Sequence, residues 1–144
     1  MGFLLAAAAL VMALDLVQKQ LAISDSGESV YLHDRPVRYV IAGAALSLGW
    51  AGAIALTRSA LIAVPGGVVL GGAAGNLLSF ALWPSLQGVP DTLVAGGLAF
   101  SVGDIAVGVG LLLLAPAALV FACRNRGRLA GRYLTEPASS PCTK

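Results

Sequence analysis

The chain has 144 residues, of which 58% are hydrophobic and only 11% charged, and its net charge is +2. A soluble domain of this size carries about a quarter charged residues, so there are too few charges here to coat a water-facing surface. An ordinary soluble globular domain is excluded, and the surplus apolar area must face lipid. The 18 glycines suit the same reading, because small residues let membrane helices approach closely.

The first apolar stretch runs from Gly2 to Ile23, long enough to cross a bilayer. A cleaved signal peptide is the wrong reading of it. It has no basic start, and Asp15 and Lys19 stand where a cleavage site would fall. Residues 24–38 are polar. Ser24 to Gly27 reads as a turn, and Val30, Leu32 and Val37 to Val40 read as an extended, strand-like stretch interrupted by Pro36. The second helix is expected over 38–56, followed by a very short connection at Thr57, Arg58 and Ser59. The third is expected over 60–82, with Pro65 near its start. Residues 83–97 form a loop rich in Pro and Gly, and the fourth helix is expected over 98–123. The predicted fold is therefore an all-α membrane protein of four transmembrane helices with a small strand-like segment in an outer loop. Residues 1–123 make the transmembrane domain, and 124–144 make a basic cytoplasmic tail.

The arginines at 124, 126, 128 and 132 could suggest nucleic-acid binding. Following the last apolar stretch, they read instead as a cytoplasmic anchor, with no nucleic-acid partner. Four crossings then put the N-terminus in the cytoplasm too, together with Arg58. The loops at 24–38 and 83–97 face outward. Cys123 and Cys142 both lie in or beside the cytoplasmic tail, where thiols stay reduced. His33 is the single histidine, no metal-ligand spacing occurs, and no cofactor is expected.

Ionisable groups inside the membrane are costly and mark functional hypotheses. Asp15 precedes the outer end of the first helix by eight residues, and Asn76 that of the third by six. Asp104 follows the outer start of the fourth by six. Each therefore lies roughly 9–12 Å below the outer surface, so three helices deliver polar groups to one level. Asp91 sits in the outer loop just above. Plainer roles remain open. Asp15 and Lys19 are an i,i+4 pair that could simply neutralise each other, Lys19 could snorkel, and Asn76 could join helices. Asp91 alone would be an ordinary loop aspartate.

These residues resemble the motifs of the lipoprotein signal peptidases (signal peptidase II), four-helix aspartic peptidases of the bacterial inner membrane. Asp15-Leu-Val-Gln-Lys19 is similar to the family's D-Q-x-x-K, and Gly43-Ala-Ala-Leu-Ser47 to the end of N-x-G-A-A-F-S. Gly71-Gly-Ala-Ala-Gly-Asn76-Leu resembles G-G-A-x-G-N-L. Gly88-Val-Pro-Asp91 resembles G-x-V-x-D, and Phe100-Ser-Val-Gly-Asp104 resembles F-N-x-A-D. The likeness spans residues 10–115. It implies that Asp91 and Asp104 form a catalytic dyad, supported by Asn76, Asp15, Lys19 and Ser101. Two close carboxyls in a site of low dielectric can share a proton, one acting as base towards water and the other polarising the scissile carbonyl. The implied substrate is a diacylglyceryl-modified prolipoprotein, whose signal helix is removed. His33, Asp34 and Arg35 would meet lipid headgroups or the exposed part of the substrate.

The chain departs from the family pattern at several positions. Ile41 replaces the asparagine of N-x-G-A-A-F-S, Ser79 and Phe80 replace the acid and arginine after G-N, and Ser101 replaces the asparagine of F-N-x-A-D. Pro90 and Thr92 flank the first dyad aspartate. Two rival readings follow: an inactive relative that binds lipoprotein-like helices, and a small proton or cation transporter with Asp15 and Asp104 along its path.

Overall fold

The computed structural model describes residues 1–26, 31–34, 36–86 and 88–133. Four helices organise it: α1 (Gly2–Ser26), α2 (Val37–Thr57), α3 (Ala60–Leu82) and α4 (Val102–Tyr133). Each contains a stretch long and apolar enough to cross a membrane. The chain is an all-α, multi-pass membrane protein. Large apolar side chains point outward all around it, such as Leu46 at 74% and Leu112 at 76% exposure, which only a lipid solvent tolerates at this density.

The helix α3 is central and packs on α1, α4 and α2. Its glycines explain why. A Cβ on Gly71 would sit 2.5 Å from the Ala8 carbonyl oxygen of α1, and one on Gly66 would sit 2.9 Å from the Ile54 side chain of α2. A Cβ on Gly72 would overlap the Gly103 carbonyl oxygen of α4. Different faces of α3 are thus stripped of side chains so that three backbones can close on it.

The two ends of the bundle are held by different chemistry. At the end carrying Met1 and the α2–α3 turn, Leu4, Ile54, Ile62, Ala63 and Ala117 form the apolar core, with Trp50, Leu114 and Phe121 against it. Trp50 Nε1 donates to the Gly66 carbonyl at 3.1 Å. The turn itself is tight. Arg58 adopts a left-handed φ of 49° as the α2 C-cap, and its N–H reaches the Ala55 carbonyl.

The opposite end carries the loops. A strand β1 (Tyr31–Asp34) pairs antiparallel with β2 (Gly88–Asp91), placing Tyr31 opposite Asp91. A 3₁₀ turn at Pro84–Leu86 precedes β2. Between β2 and α4 a hairpin forms from β3 (Leu93–Ala95) and β4 (Leu98–Phe100). Its two-residue turn is Gly96-Gly97, with φ of 59° and 81°. Positive φ at both central positions is what a type I′ hairpin turn requires, and glycine supplies it without strain.

Several boundaries differ from expectation. The turn expected at Ser24 is instead the last turn of α1, which runs to Ser26. Val37 to Val40 are helical: Pro36, with φ fixed near −63°, is the α2 N-cap and starts a helix instead of interrupting a strand. The fourth helix begins at Val102, not at residue 98, because the glycine pair turns 93–100 into a hairpin. It also continues to Tyr133, so the boundary expected after Cys123 falls inside a helix. Arginine is a good helix former, so a basic run need not end one. Arg35, Cys142 and Lys144 lie outside the described residues, as does the end of the expected tail.

Candidate functional site

In an apolar surround, backbone N–H groups at a helix start must find partners within the protein. The first turn of α4 shows how this need assembles the site. Ser101 is its N-cap: Ser101 Oγ accepts the Asp104 N–H at 3.2 Å, and Asp104 Oδ2 accepts the Ser101 N–H at 2.9 Å. This reciprocal pair is a capping box. The Gly103 N–H is satisfied from another helix, donating to Asp15 Oδ1 of α1 at 2.7 Å. A carboxylate at a helix N-terminus also meets the positive end of the helix dipole.

Asp15 faces Lys19 across one turn. The Lys19 ammonium donates to Asp15 Oδ2 at 2.7 Å, to Asn76 Oδ1 at 2.6 Å and to Ser79 Oγ at 3.1 Å. Its three protons are thereby matched to three acceptors. Both Asp15 and Lys19 have 0% exposure, and their charges cancel. Ser79 passes its own proton to the Gly75 carbonyl at 2.8 Å. Gly75 must be bare, since a Cβ there would lie 2.5 Å from Asp15 Oδ2.

Asn76 carries the network from this buried pair to the surface of the site. Its Oδ1 accepts from Lys19, and its Nδ2 donates to Asp104 Oδ1 at 2.9 Å. The amide orientation follows from the ammonium, which can only donate. Ser101 Oγ stands 3.0 Å from both Asn76 Oδ1 and Asp104 Oδ2 and has one proton for the two. Every buried side-chain polar atom among the described residues has a hydrogen-bond partner.

Asp91 closes β2, is 4% exposed and lines a cavity of about 70 Å³ together with Asp104, Asn76, Tyr39, Leu77 and Phe80. That space is enough for a few water molecules. It shares Tyr39, Asn76, Leu77 and Asp104 with a second space of about 360 Å³, a mostly apolar groove walled by Gly43, Leu46 and Ser47 of α2 and Val107 of α4. The groove exists because α2 packs on α3 and hardly touches α4. Asp104 thus stands where the apolar groove meets a small cavity lined by polar and apolar side chains alike.

All six residues singled out from the sequence gather at this end. Asp91 and Asp104 line the same cavity as Asn76. Asp15, Lys19 and Ser101 sit behind them. The pair Asp15–Lys19 is more than self-neutralising, since each residue also bonds to another helix. Sequence reasoning missed four participants. Ser79 Oγ accepts a hydrogen bond from Lys19, and the Gly103 N–H is capped from α1. Thr92 Oγ1 donates to Gln18 Oε1 at 2.6 Å, tying the residue after Asp91 to α1. The Ser-x-x-Asp spacing of the capping box was present in the sequence. The Thr92 link, across 74 positions, had no local signal. Among the described residues no group of three or more His, Cys, Asp or Glu could hold a metal ion.

Comparison with protein-family models, curated proteins and solved structures finds no match to this chain.

Proposed function

We propose that this chain is an intramembrane aspartic endopeptidase of the lipoprotein signal peptidase type, removing signal helices from diacylglyceryl-modified prolipoproteins. The observation that carries the reading is that Asp91 and Asp104 line one small cavity, which shares Asp104 and Asn76 with an apolar groove between α2 and α4. A signal helix would lie in the groove, with its scissile peptide at the two carboxyls. One carboxylate would take a proton from water as that water attacks the carbonyl. The other, protonated, would donate to the carbonyl oxygen. Collapse of the tetrahedral adduct would break the C–N bond and pass a proton to the departing amine. Asn76, holding Asp104 Oδ1, would keep one oxygen of the dyad aimed at the cavity. The arginines of the last turns of α4, with Arg58 in the short α2–α3 turn, support cytoplasmic termini, and the resemblance to the peptidase family supports a bacterial inner membrane. The carboxyls would then stand near the outer leaflet, where the lipid of the substrate resides.

One observation favours a second reading. Asp104 also serves as a capping-box residue, accepting the Ser101 N–H and the Asn76 amide. An inactive relative that binds lipoprotein-like helices would keep it for that structural reason alone. A cleavage assay in nanodiscs separates the two. The substrate is a diacylglyceryl-modified prolipoprotein, with wild type, Asp91→Asn and Asp104→Asn compared. The peptidase reading expects cleavage by wild type and its loss in both variants. Uncleaved substrate bound equally by all three folded proteins would establish the second reading instead.

A further inference from the structure

The hairpin β3–β4 is a part of the loop end that the proposed chemistry does not use. Its eight residues, Leu93 to Phe100, include no charged and no polar side chain. In the antiparallel register Val94 faces Ala99, while Leu93 faces Phe100 and Ala95 faces Leu98. Directly opposed residues share a face of the ribbon. Both faces are therefore apolar, and neither is suited to water. Val94 is 57% and Leu98 72% exposed. The two strands pair with each other and pack on no helix to a comparable extent.

Its level can be placed against the helices. The backbones of α3 and α4 meet where Gly72 lies against Gly103, and the two helices run antiparallel. Leu82, the end of α3, lies ten residues beyond Gly72, whereas Val102, the start of α4, lies only one before Gly103. The difference of nine residues leaves α3 about 13 Å taller than α4. The chain thus leaves β4 for α4 below the top of an apolar helix. Tyr39 near the start of α2 and Trp83 at the end of α3 stand at this end, and such aromatics mark the membrane–water interface. The opposite limit comes from the backbone. A two-stranded ribbon leaves the outer N–H and C=O groups of both strands unpaired, and hydrocarbon cannot satisfy them.

We infer that the β3–β4 hairpin is a lipid-contacting element seated at the headgroup–acyl boundary of the leaflet on the loop side. Its side chains lie among the upper acyl segments, and its open strand edges meet interfacial water and headgroups. The inference rests on the membrane placement of the four helices and not on peptidase activity.

The test uses the full chain with Cys123→Ser and Cys142→Ser, and a single new cysteine in place of Val94 or Leu98. Each carries an environment-sensitive fluorophore in phosphatidylcholine–phosphatidylglycerol vesicles. A label in place of Leu112, at mid-span, reports correct insertion by responding most to quenchers near the acyl-chain terminus. The hairpin labels are expected to respond severalfold more strongly to nitroxide lipids labelled just beneath the headgroup than to those labelled near the chain terminus, and to resist aqueous iodide. Strong iodide quenching would put the hairpin in water and overturn the inference. So would quenching chiefly by the deep nitroxide, or shielding from every quencher, which would mean that protein covers the hairpin.

Discussion

Removing the Lys19 charge puts the buried network under its most direct strain. In Lys19→Met the Asp15 carboxylate stays fully enclosed, with the Gly103 N–H as its remaining donor. In Asp15→Asn the ammonium stays enclosed with only the neutral acceptors Asn76 and Ser79. Breaking one side of a buried ion pair costs about 3–5 kcal/mol, because an uncompensated charge is left in a poor solvent. The double variant Asp15→Asn/Lys19→Met leaves no charge, and the asparagine carbonyl can still accept the Gly103 N–H. It is expected to lose only about 1–2 kcal/mol, the value of one or two hydrogen bonds. The two single losses together should then exceed the double loss by about 4 kcal/mol or more, above the usual range of about 0.5–3 kcal/mol for directly contacting residues. Reversible unfolding in mixed detergent and dodecyl sulfate micelles, followed by Trp50 and Trp83 emission, measures all four corners of the cycle. Additive losses, or single losses below about 0.5 kcal/mol, would show that the pair is solvated and that the enclosed network is not what holds α1 in place.

Two further outcomes follow from contacts elsewhere. Gly71→Ala drives a methyl into the Ala8 backbone and should destabilise by about 1–3 kcal/mol in the same unfolding assay, whereas Gly108→Ala, with nothing within 4 Å of its added Cβ, should be neutral or slightly stabilising. Thr92→Val removes the bond to Gln18 beside Asp91, worth up to about 1.4 kcal/mol or tenfold in rate. In cleavage kinetics kcat should fall with KM unchanged, and Thr92→Ser should restore it.

What the sequence made legible was what depends on solvent and on one helix at a time. Four spans follow from apolar length. That Asp15, Asn76 and Asp104 come together was also anticipated, but their depths were counted from the wrong ends: Asp15 lies eleven residues before Ser26 and Asp104 two after Val102, where eight before Ile23 and six after Leu98 were expected. The Ser101–Asp104 spacing and the Gly96-Gly97 turn were local signals too, but the first lay beneath a functional motif and the second inside a presumed loop. Position 98 was read as helical because Leu98 to Phe100 are as apolar as the helix that follows, and hydropathy cannot tell a strand at the interface from a helix beyond it. The cross-helix bonds of Lys19 to Ser79 and of Asp15 to the Gly103 N–H had no sequence signal. Each joins residues whose proximity depends on how closely bare glycines let α1, α3 and α4 approach.

The closure of Asp15 and Lys19 within a single helix bears on how the protein is made. The helix α1 leaves the ribosome before α2, α3 and α4, and the partners of Asp15 and Lys19 outside the helix come later: Asn76 and Ser79 with α3, Gly103 with α4. Spaced one turn apart, the two charges can neutralise each other as soon as α1 is helical. The segment can therefore partition from the translocon as an electrically neutral unit, before α2, α3 or α4 is in the bilayer. The later helices then find a preformed dipolar pair to dock against, so the order of synthesis is also the order in which the network fills.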